Sequence, residues 1–236
     1  MPPEIRYSLN PGQADGVAVR LRLAPENHGL MVPDDYEAPA WARLEHCQCH
    51  HCPLDPATHR DCPIARNLAY TLPDQDLGES FHEIELRVED GQREYRAHTT
   101  VQRALSSLFG LVCALSDCPH TRFLRPMALF HLPVSTETET LARTVGFYLL
   151  SRYLDNRPRT ELSVDLDDLH QAYRNLGELN RYFVQRFRQG GSDGPINAMI
   201  LLHVMSQDVN WEIKDQLDAL GTLFEQATGD SDGRMQ

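Results

Sequence analysis

Four of the six cysteines in this chain lie close together, within residues 47–62. The set comprises Cys47, Cys49, Cys52 and Cys62, and histidines are interspersed among them. Thiols and imidazoles gathered on one short segment are the ligands that a zinc ion or an iron–sulfur cluster requires. A bound metal would fix the path of this loop, so the segment is the first constraint on the fold.

Length, charge and hydropathy bound the class of protein. The 236 residues, 41% of them hydrophobic, suffice for one large or two small domains with a real core. A net charge of −12 argues against a nucleic-acid or anionic-membrane binder. The longest apolar run, 108–115, is too short to cross a bilayer, and the start lacks a signal-peptide pattern. We therefore expect a cytoplasmic protein, in which clustered thiols bind metal more readily than they form disulfides.

The hydrophobic pattern predicts an α+β fold. Alternating runs at 4–9 and 17–23, and at 84–88 and 93–97, flank turn residues and predict two antiparallel hairpins. Apolar residues at three- and four-residue spacing predict helices from residue 99 onward, the last of them after Pro195. The expected fold is a small antiparallel sheet of two hairpins with a metal-stapled loop, followed by a helical C-terminal region.

Composition also suggests boundaries. The segment 156–160 separates a predicted α+β domain (1–156, with the Cys-rich metal loop at 45–63) from a helical region (157–228) and a disordered tail (229–236). Thr99 with Gln102, and Thr136 with Glu139, have the spacing of capping boxes and predict two helix starts.

The spacing of the cysteines predicts a zinc site. Cys49 and Cys52 are separated by two residues, the usual interval for two thiolates on one metal, and Cys62 supplies a third ligand. Spacing leaves the fourth ligand open. The candidates are Cys47, His46, His50, His51, His59 and Cys118. An iron–sulfur cluster is the weaker alternative because no ferredoxin spacing is present, and metal-free thiols are a third possibility. Cys113 lies within an apolar helix and is assigned to the core.

A second group of residues suits an anion. Arg103, Arg122, Arg125 and His131 lie on or beside one connector, and arginine binds carboxylate or phosphate through a planar fork. The alternative is that each arginine pairs with one of the 34 acidic residues of the chain. No catalytic residues are assigned, because neither His120 nor His131 has a recognisable third group to orient it beside Cys118.

Several short motifs resemble those of a bacterial family with no known activity. They are Cys-x2-Cys-Pro-Leu at Cys49, Cys-Pro at Cys62, Ser-x-Cys-Pro at Ser116 and His-Leu-Pro at His131, within about residues 45–155. The resemblance implies a bacterial origin. It also favours Cys49, Cys52, Cys62 and Cys118 as the four ligands and leaves Cys47 outside the set.

The expected function is that of a zinc-stabilised cytosolic interaction or regulatory protein without catalytic activity. Its expected partner is another protein or a small anionic ligand, with no role for nucleic acid or membrane, and an apolar helix face would allow self-association into a homo-oligomer. The alternatives are a metal- or thiol-dependent enzyme and an iron–sulfur sensor.

Overall fold

The structure is a computed structural model that describes residues 3–10, 12–13, 16–72, 79–155, 165–188 and 221. Within them it contains four strands and five α-helices, and it confirms the predicted α+β class with a small antiparallel sheet. The elements are β1 (Glu4–Leu9), β2 (Val17–Arg22), α1 (Pro63–Thr71), β3 (Glu83–Glu89), β4 (Glu94–Thr100), α2 (Val101–Leu115), α3 (Arg125–Leu129), α4 (Glu137–Asp155) and α5 (Asp167–Arg188).

The two predicted hairpins join into one four-stranded sheet with the order β2-β1-β3-β4. All neighbouring strands are antiparallel, and Tyr7 lies opposite Val19 on one side and Val88 on the other. Alternate residues point to the same face, so Tyr7, Leu21, Leu86 and Val88 are all buried. This face forms the floor of the main core.

Helix α2 lies on that core and is buried nearly all round. It packs against β3 and β4, against α1 and against α3. Leu105, Leu108, Phe109 and Val112 are each at most 1% exposed, as expected of a helix that is apolar on several faces. No helix among the described residues is long and apolar enough to cross a membrane.

Helix α5 connects two hydrophobic clusters. Its first half packs Leu169 and Tyr173 against Leu141 and Val145 of α4. Its second half contributes Leu179, Phe183 and Phe187 to the main core, where the Phe187 ring stacks on Phe109 with centroids 5.8 Å apart. The C-terminal end of α5 is thereby fixed against the sheet-bearing half of the protein.

Part of the predicted domain organisation lies outside the described residues. This is true of the boundary segment 156–160, the helix after Pro195 and the tail 229–236. The divisions 1–156, 157–228 and 229–236 therefore stay predictions. Helix α5, which opens the predicted helical region, nevertheless shares its core with α2.

One predicted capping box is wrong and the other is confirmed. Thr99 and Thr100 still belong to β4, and α2 begins after Thr100 without a side-chain capping bond. At α4, the Glu139 N–H donates to Thr136 Oγ1 (3.2 Å) and the Thr136 N–H donates to Glu139 Oε2 (2.8 Å). The reciprocal pair satisfies two backbone groups at the start of α4.

We expect Thr136→Ala to lower the free energy of unfolding by about 1 kcal/mol, because the capping oxygen is lost from the first turn of α4. In a chain of this size the melting temperature should fall by about 2–4 °C in differential scanning calorimetry. Thr138→Ala is the matched control, since Thr138 is exposed and lies in the same turn. Equal effects of the two substitutions would contradict a capping role for Thr136.

Candidate functional site

The cysteine loop is closed by backbone hydrogen bonds. The Cys52 N–H donates to Cys49 O (2.9 Å), which makes the tight turn that the two-residue spacing predicts. The Cys62 N–H donates to Ala42 O (2.9 Å), and Arg43 and Asp61 form an antiparallel bridge. These bonds hold the two ends of the loop side by side.

Cys62 and Cys118 reach the same region from other elements. Cys62 is the N-cap residue of α1 and is 9% exposed. Cys118 follows the end of α2, is 5% exposed, and opens a second turn in which the Thr121 N–H donates to Cys118 O (3.1 Å). The loop thus meets the start of one helix and the end of another.

The four thiols favoured by the sequence lie within range of one another's charge. Burial raises the pKa of the Cys49 thiol to about 12, and thiolates at Cys62, Cys118 and Cys52 would raise it further by repulsion. Burial likewise raises the pKa of Cys118 to about 12, with Cys62 and Cys52 adding to the effect. The choice of these four thiols over Cys47 stays a prediction.

Backbone N–H groups counteract part of the increase in pKa at two of the thiols, Cys62 and Cys118. The N–H groups of Ala65 and Ile64 at the start of α1 lower the pKa of Cys62, whose overall shift is still upward because it is buried. Those of His120 and Thr121 act in the same way on Cys118. Backbone N–H groups beside a sulfur favour its thiolate form over the neutral thiol.

The thiols do not, however, form a coordination site as they stand. Among the residues that the structure describes, no group of three or more His, Cys, Asp or Glu side chains is arranged to hold a metal ion. All six cysteines are free thiols. The metal-stapled loop stays a prediction.

A buried arginine lies beside the thiols. Arg186 of α5 is 2% exposed, and its Nη1 donates to the carbonyl oxygens of Trp41 and Arg43, the latter at 2.9 Å. Its Nη2 donates to Cys47 O at 3.4 Å, and its Nε is buried without a hydrogen-bond partner among the described residues. Burial lowers the pKa of Arg186, while thiolates at Cys62, Cys47, Cys49 and Cys52 would raise it.

Among the described residues, no carboxylate forms an ion pair with this guanidinium. The ion pairs formed by the described residues all involve other arginines. The groups whose ionised forms would act on Arg186 with the opposite charge are Cys62, Cys47, Cys49 and Cys52.

Histidines surround the loop without joining the thiols. The His51 ring centroid is 4.2 Å from that of His120 and 4.9 Å from that of His50. Burial and the neighbouring His120 lower the pKa of His51, whose Nε2 is 3.2 Å from Asn175 O. His59 Nδ1 is 2.9 Å from Thr58 Oγ1. The Nε2 of His46 and the Nδ1 of His51 are buried without partners in the described part of the chain.

The proposed anion-binding residues separate into two places. Arg103 and His131 line a cavity of about 560 Å³ beside α2. Arg125 instead donates to Ser116 O (2.8 Å) and pairs with Asp117, and Arg122 is exposed. Neither of the last two lines the cavity, so the structure brings together only half of the predicted set.

A hydrogen-bonded group lies at the wall of this cavity. The hydroxyl of the fully buried Tyr7 bonds to His131 Nε2 and to Ser107 Oγ (2.9 Å), and the Val134 N–H donates to Ser107 Oγ (3.1 Å). Burial, with a smaller effect from Arg143, lowers the pKa of His131 to about 3, so the ring is neutral at neutral pH. Cys113 also lines the cavity, and burial raises its pKa.

Two arginines in these sites were missed by the sequence reasoning. Arg143 lines the cavity on α4, and Arg186 lies among Phe183 and Phe187 on the apolar stripe of α5. The position of Arg186 in the sequence could have indicated its burial. It is three residues from Phe183, on the buried face of an amphipathic helix.

The fold and these sites define an α+β protein with a thiol-rich loop packed between helices and a separate cavity. The chain belongs to the DUF6901 family, a domain of unknown function whose family model matches residues 4–225. The match extends on both sides of the 45–155 stretch that carries the motif resemblance. No curated protein and no solved structure matches the chain.

We expect the stability of the protein to fall in acid partly through His131. Its folded-state pKa of about 3 lies below the ordinary value of about 6.5, so between these pH values the unfolded chain binds a proton that the folded chain does not. Above the unfolded-state pKa, His131 takes nothing from the free energy of unfolding. As the pH falls from there towards 3, proton uptake by the unfolded chain lowers that free energy by up to about 1.4 kcal/mol per pH unit.

Urea unfolding of the wild type and His131→Gln between pH 7 and pH 4.5 checks this expectation. The variant should lose free energy of unfolding less steeply with falling pH than the wild type. His98→Gln, at an exposed position on β4, is the control and should keep the wild-type slope. Identical slopes for wild type and His131→Gln would show that His131 takes up its proton equally in both states.

Proposed function

We propose that this chain is a zinc-stabilised interaction or regulatory protein of the bacterial cytoplasm that has no catalytic activity. Cys49, Cys52, Cys62 and Cys118 hold the metal, which joins the cysteine loop to the start of α1 and the end of α2. The binding function is recognition of a protein partner or a small anionic ligand.

The observation that carries the metal proposal is the burial of Arg186 against the thiols. A buried cation is costly unless an anion or a full set of hydrogen bonds compensates it. Within the described part of the chain, no carboxylate pairs with Arg186 and its Nε has no hydrogen-bond partner. Neutral thiols cannot supply the charge. Zinc bound to four thiolates can, because its two positive charges are outnumbered by four negative ones.

The backbone around the thiols supports the same proposal. One turn and one helix start each present a cysteine beside backbone N–H groups, at Cys118 and Cys62. Such N–H groups can donate hydrogen bonds to a metal-bound sulfur and stabilise its negative charge. Binding would require the side chains to rotate towards a common centre, a change of torsion angle that leaves the backbone turns in place.

Thiol chemistry is the less favoured role. A cysteine nucleophile needs a depressed pKa and a nearby cation or base, whereas burial raises the pKa of Cys49 and of Cys118 to about 12. Metal binding can overcome such a shift because a coordinated thiol is deprotonated. An iron–sulfur cluster would use the same ligands, and the metal content distinguishes it from zinc.

We expect the full chain, purified without oxygen, to contain about one zinc per molecule by mass spectrometry of the metal, and to be colourless. Cys118→Ser should lose the zinc and lower the melting temperature by about 10 °C or more, since a structural metal contributes its binding free energy to folding.

Cys47→Ser is the matched control, because Cys47 lies on the same loop outside the proposed ligand set. It should keep both the zinc and the stability of the wild type. A metal-free wild type that melts at the same temperature with and without added zinc would refute the proposal. Iron in place of zinc would establish the cluster alternative.

The balance of charge predicts a role for Arg186 in metal affinity. Arg186→Gln should raise the dissociation constant for zinc by about tenfold or more in competition with a chelator, because a thiolate cluster loses its compensating cation. Arg186→Lys should retain more of the affinity, since it keeps the positive charge. Arg188→Gln removes an exposed arginine from the same helix turn and should leave the affinity unchanged. An unchanged affinity in folded Arg186→Gln would contradict the proposed charge balance.

A further inference from the structure

We infer that the cavity beside α2 binds a small monocarboxylate whose remaining body is apolar. This inference rests on the ligand-binding half of the proposed function and names the class of ligand. It involves none of the proposed metal ligands.

The cavity has the size and lining of a small-molecule site. Its volume of about 560 Å³ lies within the usual range for ligand pockets. Apolar side chains from three elements form much of its wall, among them Leu111 of α2, Ala128 of α3 and Leu176 of α5. An apolar ligand body would displace water from these surfaces, which is favourable.

Arg143 provides the group that recognises an anion. Its side chain is half-buried, and its Nη2 donates to Met127 O (2.9 Å) and Phe130 O (2.6 Å). These bonds fix the guanidinium at the cavity wall. The nearby carboxylate of Glu139 is exposed, lies outside the cavity lining and acts on Arg143 only through its charge, without an ion-pair contact. Among the described residues no atom accepts a hydrogen bond from Nε or Nη1, so these donors are available to a ligand.

The charge of the cavity fits one negative charge. Its charged lining residues are Arg103, Arg143 and Glu137, which leaves one positive charge in excess in a chain whose net charge is −12. His131 adds no charge at neutral pH, because its pKa is lowered to about 3. A phosphate carries more negative charge than this lining balances and would find no use for the apolar wall.

Isothermal titration calorimetry on the full chain, as purified with its metal, tests the inference with three probes. They are 4-phenylbutyrate, its neutral isostere 4-phenylbutyramide, and inorganic phosphate. We expect 4-phenylbutyrate to bind with a dissociation constant at least about tenfold below those of the amide and of phosphate. The comparison with the amide measures the contribution of the negative charge, and the comparison with phosphate measures the contribution of the apolar body.

Arg143→Gln should weaken the binding of 4-phenylbutyrate by about tenfold or more, and Arg122→Gln, an exposed arginine away from the cavity, should not change it. Arg143 also bonds to backbone carbonyls, so Arg103→Gln serves as a second variant at an exposed position. Arg103→Gln should fold normally. It should weaken the binding of 4-phenylbutyrate only several-fold, because the charge of Arg103 is more exposed to solvent than that of Arg143.

Three results with the wild-type protein would overturn the inference. They are equal binding of 4-phenylbutyrate and its amide, absence of binding by 4-phenylbutyrate, and phosphate binding as tight as that of the carboxylate. Unchanged binding in folded Arg143→Gln and Arg103→Gln would do so as well. Metal content measured on each sample separates the two proposals: zinc-free protein that binds the probe contradicts only the metal, and zinc-replete protein that does not bind contradicts only the ligand.

Discussion

The packing of the thiol-rich half depends on one buried guanidinium. Arg186 reaches from α5 to the backbone carbonyls of Trp41 and Arg43, which lie at the entrance of the cysteine loop. Phe183 and Phe187, on the same face of α5, fix that helix in the main core. The loop has little regular secondary structure. Its position is fixed by these carbonyl contacts, by hydrogen bonds of His51 to α5 and to His120, and by packing of Leu44 and Leu54 in the core.

The thiols and the cavity are connected through the C-terminal end of α2. Cys113 lines the cavity, and its carbonyl oxygen accepts hydrogen bonds from Ser116 Oγ (2.8 Å) and Thr121 Oγ1 (2.7 Å). Ser116 Oγ in turn accepts a bond from the Cys118 N–H (3.3 Å). This buried network joins one wall of the cavity to the turn that carries Cys118, so disorder at the thiols would reach the cavity through a few hydrogen bonds.

The sequence predicted the elements whose apolar residues repeat regularly, and it missed contacts that depend on tertiary position. Both hairpins and the long helices follow from alternation and from three- and four-residue spacing. The short helix α3 was not predicted, since five residues among prolines carry too little periodicity to be recognised. The Thr99 capping box failed because β4 continues through Thr100 and uses those residues in the sheet.

The site was predictable where local spacing controls it. The turn at Cys49 and Cys52 follows from two intervening residues, and the motif resemblance added Cys118 to the set. Arg186 and Arg143 could not be assigned in the same way, because a sequence pattern places arginine at the surface unless its partner is known. The partners here are backbone carbonyls from distant segments, which no spacing rule identifies.

Strand β4 ends at Thr100 and helix α2 begins at Val101, so no linker separates them. Any tilt of α2 would have to twist the edge of a four-stranded sheet, whose ladder of backbone hydrogen bonds resists such motion. One wall of the cavity therefore inherits the rigidity of the sheet. A ligand that enters there meets a preformed surface, and little of its binding free energy is spent on ordering that wall.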